Sequence, residues 1–190
     1  MKKSLLVVPL SPPKFVSRKG ALLLVALLIG CVPMPPELLS HGGTVEYDRH
    51  NDYSDSITGI KFQSHDYLLS ELKKKAELNF WNHEKTKEEE DRLSPGGRLL
   101  LDVERPTIDA ANMDNFTVII VENGKELFRE AGKDKIANVP SGSSRWWNLQ
   151  TFGIPKKMTS PFTVYVVDNL EKKRYEFRVT PDSTTREIVK

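Results

Sequence analysis

Cysteine is nearly absent from this chain: Cys31 is the single one among 190 residues. One thiol excludes an internal disulfide framework and any zinc site built on several cysteines, since each needs at least two. No Gly-x-x-x-x-Gly-Lys loop, Gly-x-Gly-x-x-Gly turn or Gly-x-Ser-x-Gly elbow occurs, so the usual phosphate cradles and hydrolase nucleophile turn are missing. The four histidines, His41, His50, His65 and His83, are scattered, and no two share a helix face at ligand spacing. No apolar run approaches the roughly 20 residues that a membrane-crossing helix needs. These absences leave no catalytic residue, no metal ligand set and no cofactor to assign.

Acidic residues are absent from 1–30, whereas Lys2, Lys3, Lys14, Arg18 and Lys19 all fall there. The formal charge of +2 therefore misleads: setting aside those five leaves 23 basic against 26 acidic residues, a net of −3. A mildly acidic body has no electrostatic reason to bind phosphate backbones, so nucleic acid is not an expected partner.

Residues 21–29 read Ala-Leu-Leu-Leu-Val-Ala-Leu-Leu-Ile, preceded by Arg18-Lys19-Gly20 and closed by Cys31-Val32-Pro33. A basic segment followed by a short apolar core is the layout of a secretory signal peptide. Leu28-Ile29-Gly30-Cys31 resembles the lipobox of bacterial lipoproteins: Leu, a variable position, Gly or Ala, then Cys. The resemblance implies that a signal peptidase recognises Leu28 and Gly30 and cuts before Cys31. It also implies that Cys31 is acylated and holds the mature protein to membrane lipid. Val32, where enteric lipoproteins retained at the inner membrane carry Asp, makes the outer membrane the preferred location within the cell envelope.

Pro33, Pro35, Pro36, Gly42 and Gly43, followed by the polar stretch 46–56, predict a flexible tether over 31–56. Ile57–Phe62 has the composition of a short strand. Leu69, Leu72, Ala76 and Phe80 then recur at helical spacing, widened by Leu68 and Trp81. They predict one amphipathic helix from Asp66 to about Arg92, solvated beyond Glu84 and ended by Ser94-Pro95-Gly96-Gly97.

From Arg98 the period changes to two. Leu99, Leu101 and Val103 alternate with other positions, as do Tyr175, Phe177 and Val179, and Asn123-Gly124 supplies a hairpin turn. With further strands over 116–121, 125–129, 136–139, 146–152 and 162–167, residues 98–180 predict a mainly β fold. Its expected form is an antiparallel β-sandwich of immunoglobulin-like or C2-like architecture, preceded by the one helix. The expected layout is a signal peptide over 1–30, a lipidated tether over 31–56, strand plus helix over 57–97, the sandwich over 98–180 and a polar tail over 181–190.

Two clusters remain as candidate sites. Asp48, His50, Asp52 and Asp55 combine carboxylates with an imidazole, but match no calcium loop and read as a solvated loop. Trp146-Trp147 beside Arg145 places adjacent aromatics on opposite faces of a strand, one toward the core and one free to contact a partner or ligand. The expected function is a non-enzymatic, lipid-anchored envelope module that binds a partner protein. The alternative is an envelope hydrolase or carbohydrate-binding lipoprotein, in which Asp48–Asp55 or Trp147 folds over a cleft.

Overall fold

Tyr175, Phe177 and Val179 are buried while Arg174, Glu176 and Arg178 are exposed, the two-residue period of a strand with one wet face. The computed structural model describes residues 39–138 and 144–182, which form nine strands. They are β1 (Gly43–Glu46), β2 (Arg49–Asn51), β3 (Ile57–Gln63), β4 (Arg98–Arg105), β5 (Phe116–Glu122), β6 (Lys125–Ala131), β7 (Trp146–Gly153), β8 (Phe162–Asp168) and β9 (Lys173–Pro181). Every strand pair is antiparallel. One sheet runs β1-β9-β8-β5-β6 and the other β2-β3-β4-β7, so the protein is mainly β with sheets of five and four strands.

The inner faces of both sheets contribute to one hydrophobic cluster. Ile60, Phe62, Leu99, Leu101 and Val103 come from the four-stranded sheet, and Phe116, Val118, Ile120, Val164, Val166 and Phe177 from the five-stranded one. Phe62 of β3 meets Phe162 of β8 edge to face, with ring centroids 5.8 Å apart. The β5–β6 hairpin turns at Asn123 and Gly124, both at positive φ (51° and 76°), as a type I′ turn requires.

Three features depart from the sequence reading. Gly43–Glu46 and Arg49–Asn51, assigned above to a flexible tether, are strands, because β1 completes its hydrogen bonds on β9 and β2 on β3. The single helix expected over 66–92 is two: α1 (His65–Leu78) and α2 (His83–Asp91). Asn82 restarts the helix as an N-cap, its side chain accepting from Lys85 N at 2.8 Å. Of the expected strand at 136–139, Val139 lies outside the described residues; the rest makes one bridge, Asn138 with Trp147, and Ile136 is exposed.

Gly97 joins the helices to β4 at φ +88°, where an added Cβ would sit 2.1 Å from the Gln63 carbonyl oxygen. The left-handed backbone alone costs an L-residue about 1–3 kcal/mol. Gly97→Ala is therefore expected to destabilise the protein by at least that amount, read as a lowered urea midpoint at unchanged slope.

Candidate functional site

The two clusters singled out in the sequence lie at one end of the sheets, where β2 turns into β3 and β4 meets β7. The turn is built around Asp52. Its Oδ1 accepts from Ser54 N at 3.0 Å, Ser54 Oγ at 2.5 Å and Ser56 N at 3.1 Å, a local side-chain-to-backbone closure. Its Oδ2 accepts from Lys173 Nζ at 2.6 Å and Tyr175 Oη at 3.3 Å, fastening the turn to β9 in the other sheet. Lys173 also donates to Glu171, whose other oxygen accepts from Ser56 Oγ at 3.0 Å.

Burial alone would raise the Asp52 pKa, but the hydrogen bonds from Lys173, Ser54 and Ser56 outweigh it and hold the carboxyl well below its ordinary value of 3.8. A depressed carboxylate pKa stabilises the fold fully above the unfolded value, and that contribution is lost as pH falls below it. Acidification from about pH 6 to about pH 3 is thus expected to lower wild-type stability more than that of Asp52→Asn, measured by urea unfolding at each pH.

The other members of the acidic cluster diverge. Asp48 pairs with Lys61. His50 Nε2 donates to the Glu176 carbonyl at 3.1 Å, and its ring meets Phe177 edge-on at 4.8 Å, closing the side of the fold between β2 and β9. Asp55 lines a shallow hollow of about 230 Å³ with Asn51, Asp52, Ser56, Ile57 and Arg145. Asp48, His50 and Asp52 therefore bind separate partners, and the hydroxyls of Ser54 and Ser56 hydrogen-bond to Asp52, Glu171 and each other, with no bond to a histidine described. Among the described residues no three His, Cys, Asp or Glu side chains form a group able to hold a metal.

Beneath this end lies a polar contact that the sequence reading missed. Arg105 is fully buried. It donates from Nη1 to the carbonyls of Ile57 at 2.6 Å and Glu104 at 2.9 Å. From Nη2 it donates to Thr58 Oγ1 and Asp168 Oδ2, each at 2.9 Å, and its guanidinium lies 4.9 Å from the Phe116 ring. Asp168 Oδ1 in turn accepts from Leu170 N and Glu171 N, shaping the β8–β9 turn. Arg105 continues the inward parity of Leu99, Leu101 and Val103, which is the signal that could have found it.

On the opposite parity, Glu104 faces outward beside its β7 partner Trp147. Glu104 receives Arg49 at 3.2 Å and Arg145 at 3.4 Å, and Arg49 also reaches Asp102 at 2.5 Å. Trp147 is 39% exposed on this ion-paired face. Trp146, on the inward parity opposite Arg105, is half-buried. The arrangement suits binding: an aromatic ring bordered by charges that already neutralise one another.

Cys31, Leu28 and Gly30 lie outside the described residues, and no described helix is long and apolar enough to cross a membrane. The chain matches no known protein family, no curated protein and no solved structure.

Proposed function

We propose that this protein is a lipid-anchored, non-enzymatic module of the bacterial cell envelope that docks a partner protein through the outward face around Trp147. The observation that carries the reading is the Trp147 face itself. Its ring is accessible and its neighbouring charges are paired within the chain, so covering the face strands no lone ion. The lipobox-like Leu28-Ile29-Gly30-Cys31 supports the envelope location, the outer membrane preferred. The two sheets and their shared core support a β-sandwich of immunoglobulin-like or C2-like architecture as the scaffold. The divergence of Asp48, His50 and Asp52 weighs against the hydrolase alternative.

The test is a photo-crosslinking amino acid at position 147 in the native membrane. One discrete protein adduct is expected, lost in Arg145→Glu, which reverses a charge at the rim of the face. Truncation of a central interface tryptophan costs about 2–4 kcal/mol, so Trp147→Ala is expected to weaken the complex at least about 30-fold. A glycan bound in place of any protein, with affinity lost in Trp147→Ala, would replace this reading with carbohydrate binding.

A further inference from the structure

The outward face of the five-stranded sheet is not uniformly a wet surface. Strand β9 turns Arg174, Glu176 and Arg178 outward, but the two central strands carry no charge there. In alternation with the sealed Val118, Ile120, Val164 and Val166, β5 turns out Thr117, Ile119 and Val121, and β8 turns out Thr163, Tyr165 and Val167. Ile119 stands outside the hydrophobic cluster between the sheets, and the other five are half-buried. Solvated sheet faces are polar at such positions, so an apolar centre of this kind marks a contact surface.

Strand register arranges the face in three rows. Glu176, Tyr165, Ile119 and Arg129 stand opposite one another in the middle row. Arg178, Thr163, Val121 and Glu126 form the row on one side, where a bulge sets Glu126 rather than Leu127 opposite Val121. Arg174, Val167, Thr117 and Ala131 form the row on the other. Glu126 and Arg129 pair with each other along β6 at 2.6 Å and stay about half exposed. Glu46 of β1 flanks Arg178. Three acids thus balance three arginines, and two copies of the face meet without net repulsion.

The pattern is self-complementary. Two copies of one patch meet about a twofold axis, so every contact between unlike residues occurs twice. Sheets packed face to face with aligned strands leave two such axes in the plane between them. An axis across the strands sets Glu176 on Glu176 of the second copy, and Arg174 on its Arg178. An axis along the strands exchanges the two borders of each row instead. Glu176 then meets Arg129 of the second copy, Arg178 meets its Glu126, and Tyr165 meets its Ile119 at the centre. Each border becomes a chain of four charges alternating in sign.

We propose that this face pairs the protein with a second copy of itself, about a twofold axis parallel to the strands. Four strands about 4.8 Å apart and three rows about 6.7 Å apart, with their side chains, cover about 400 Å² of each copy. The total of about 800 Å² lies below the range of stable complexes, so the pair is weak and exchanging. The Trp147 face belongs to the other sheet and is left free by this pairing. On the lipid-anchor reading, a shared membrane surface raises the effective concentration of the two copies. The contact itself does not need the anchor.

The test uses the full chain with Cys31→Ser, so that introduced cysteines are the only thiols. Two differently tagged copies, one with Glu176→Cys and one with Arg129→Cys, are mixed and treated with a short bismaleimide. Crosslinks between positions 176 and 129 are expected, well above those between two copies of position 176. Sedimentation should show a dimer that grows with protein concentration. Glu176→Arg sets like charges at both symmetry-related contacts and should weaken the dimer at least about tenfold. Adding Arg129→Glu in the same chain restores opposite charges and should recover the dimer, which a folding defect would not do. Tyr165→Glu should leave a monomer that still unfolds cooperatively in urea, whereas Trp147→Ala should leave the dimer intact. A chain monomeric at every concentration would overturn the proposal. So would a dimer lost in Trp147→Ala, or one that persists in both Glu176→Arg and Tyr165→Glu. Crosslinks dominated by 176 to 176 would overturn the axis. None of these outcomes decides whether Trp147 docks a partner, which the photo-crosslink reads separately.

Discussion

Replacing Arg105 with methionine is expected to destabilise the fold by about 3–5 kcal/mol, because it leaves the Asp168 carboxylate buried without its cation. Both side chains are almost completely buried, 0% and 1% exposed, so water cannot take over the lost contact. The loss is large against a typical total of about 5–15 kcal/mol. It is also specific in place. Arg105 ends β4 of the four-stranded sheet and Asp168 ends β8 of the five-stranded sheet, so their bond ties one sheet to the other. Asp168→Asn keeps an oxygen to accept from Leu170 N and Glu171 N, and alone it should cost less, since four other contacts still hold the guanidinium. In Arg105→Met with Asp168→Asn the stranded charge is gone, and the double variant should recover part of the single loss. Urea unfolding of the four proteins gives the coupling directly. A single-variant loss within the roughly 0.5 kcal/mol typical of surface positions would show that this ion pair adds nothing to what the apolar core and the Asp52–Lys173 contact already supply.

That contact marks where the sequence stops being readable. Strand period, the Asn123-Gly124 turn and the apolar identity of the inner faces follow from local chemistry, and β3 through β9 fall close to their expected positions. What local chemistry does not carry is pairing across long separations. β1 looks like spacer because Gly43, Thr44 and Glu46 have no apolar stripe, and it becomes a strand only by hydrogen-bonding β9 more than a hundred residues later. Asp52 reads as one of several acids in a polar loop until Lys173, 121 residues away, is placed against it. The break in the helix at Phe80 was hidden for the opposite reason. Phe80 completes the apolar spacing of Leu69, Leu72 and Ala76, yet its backbone is left-handed and its ring faces water. A rule about side chains placed it in the core, and a rule about backbone termini placed it outside. The second prevailed because Asn79 and Asn82 favour ending and restarting the helix there.

Cys31→Ser is expected to have the largest effect of any single change on where the protein resides. If Cys31 carries a diacylglyceryl group, its sulfur is the link that bears two acyl chains, and no other cysteine exists to replace it. One acyl chain gives a membrane association constant of about 10⁴ M⁻¹, and a second makes the anchoring stable. Removing both is therefore expected to reduce membrane partitioning of the mature body by far more than 10⁴-fold. No cluster of basic residues offsets that loss, since the chain beyond residue 30 is net negative. Intact mass of the protein from its native membrane should show a chain beginning at Cys31 with two or three acyl chains, and the serine variant should carry none. An unmodified wild-type chain that keeps residues 1–30 would remove the anchor from the proposal. The Trp147 face would then have to find its partner without the confinement to a surface that lets a modest interface suffice.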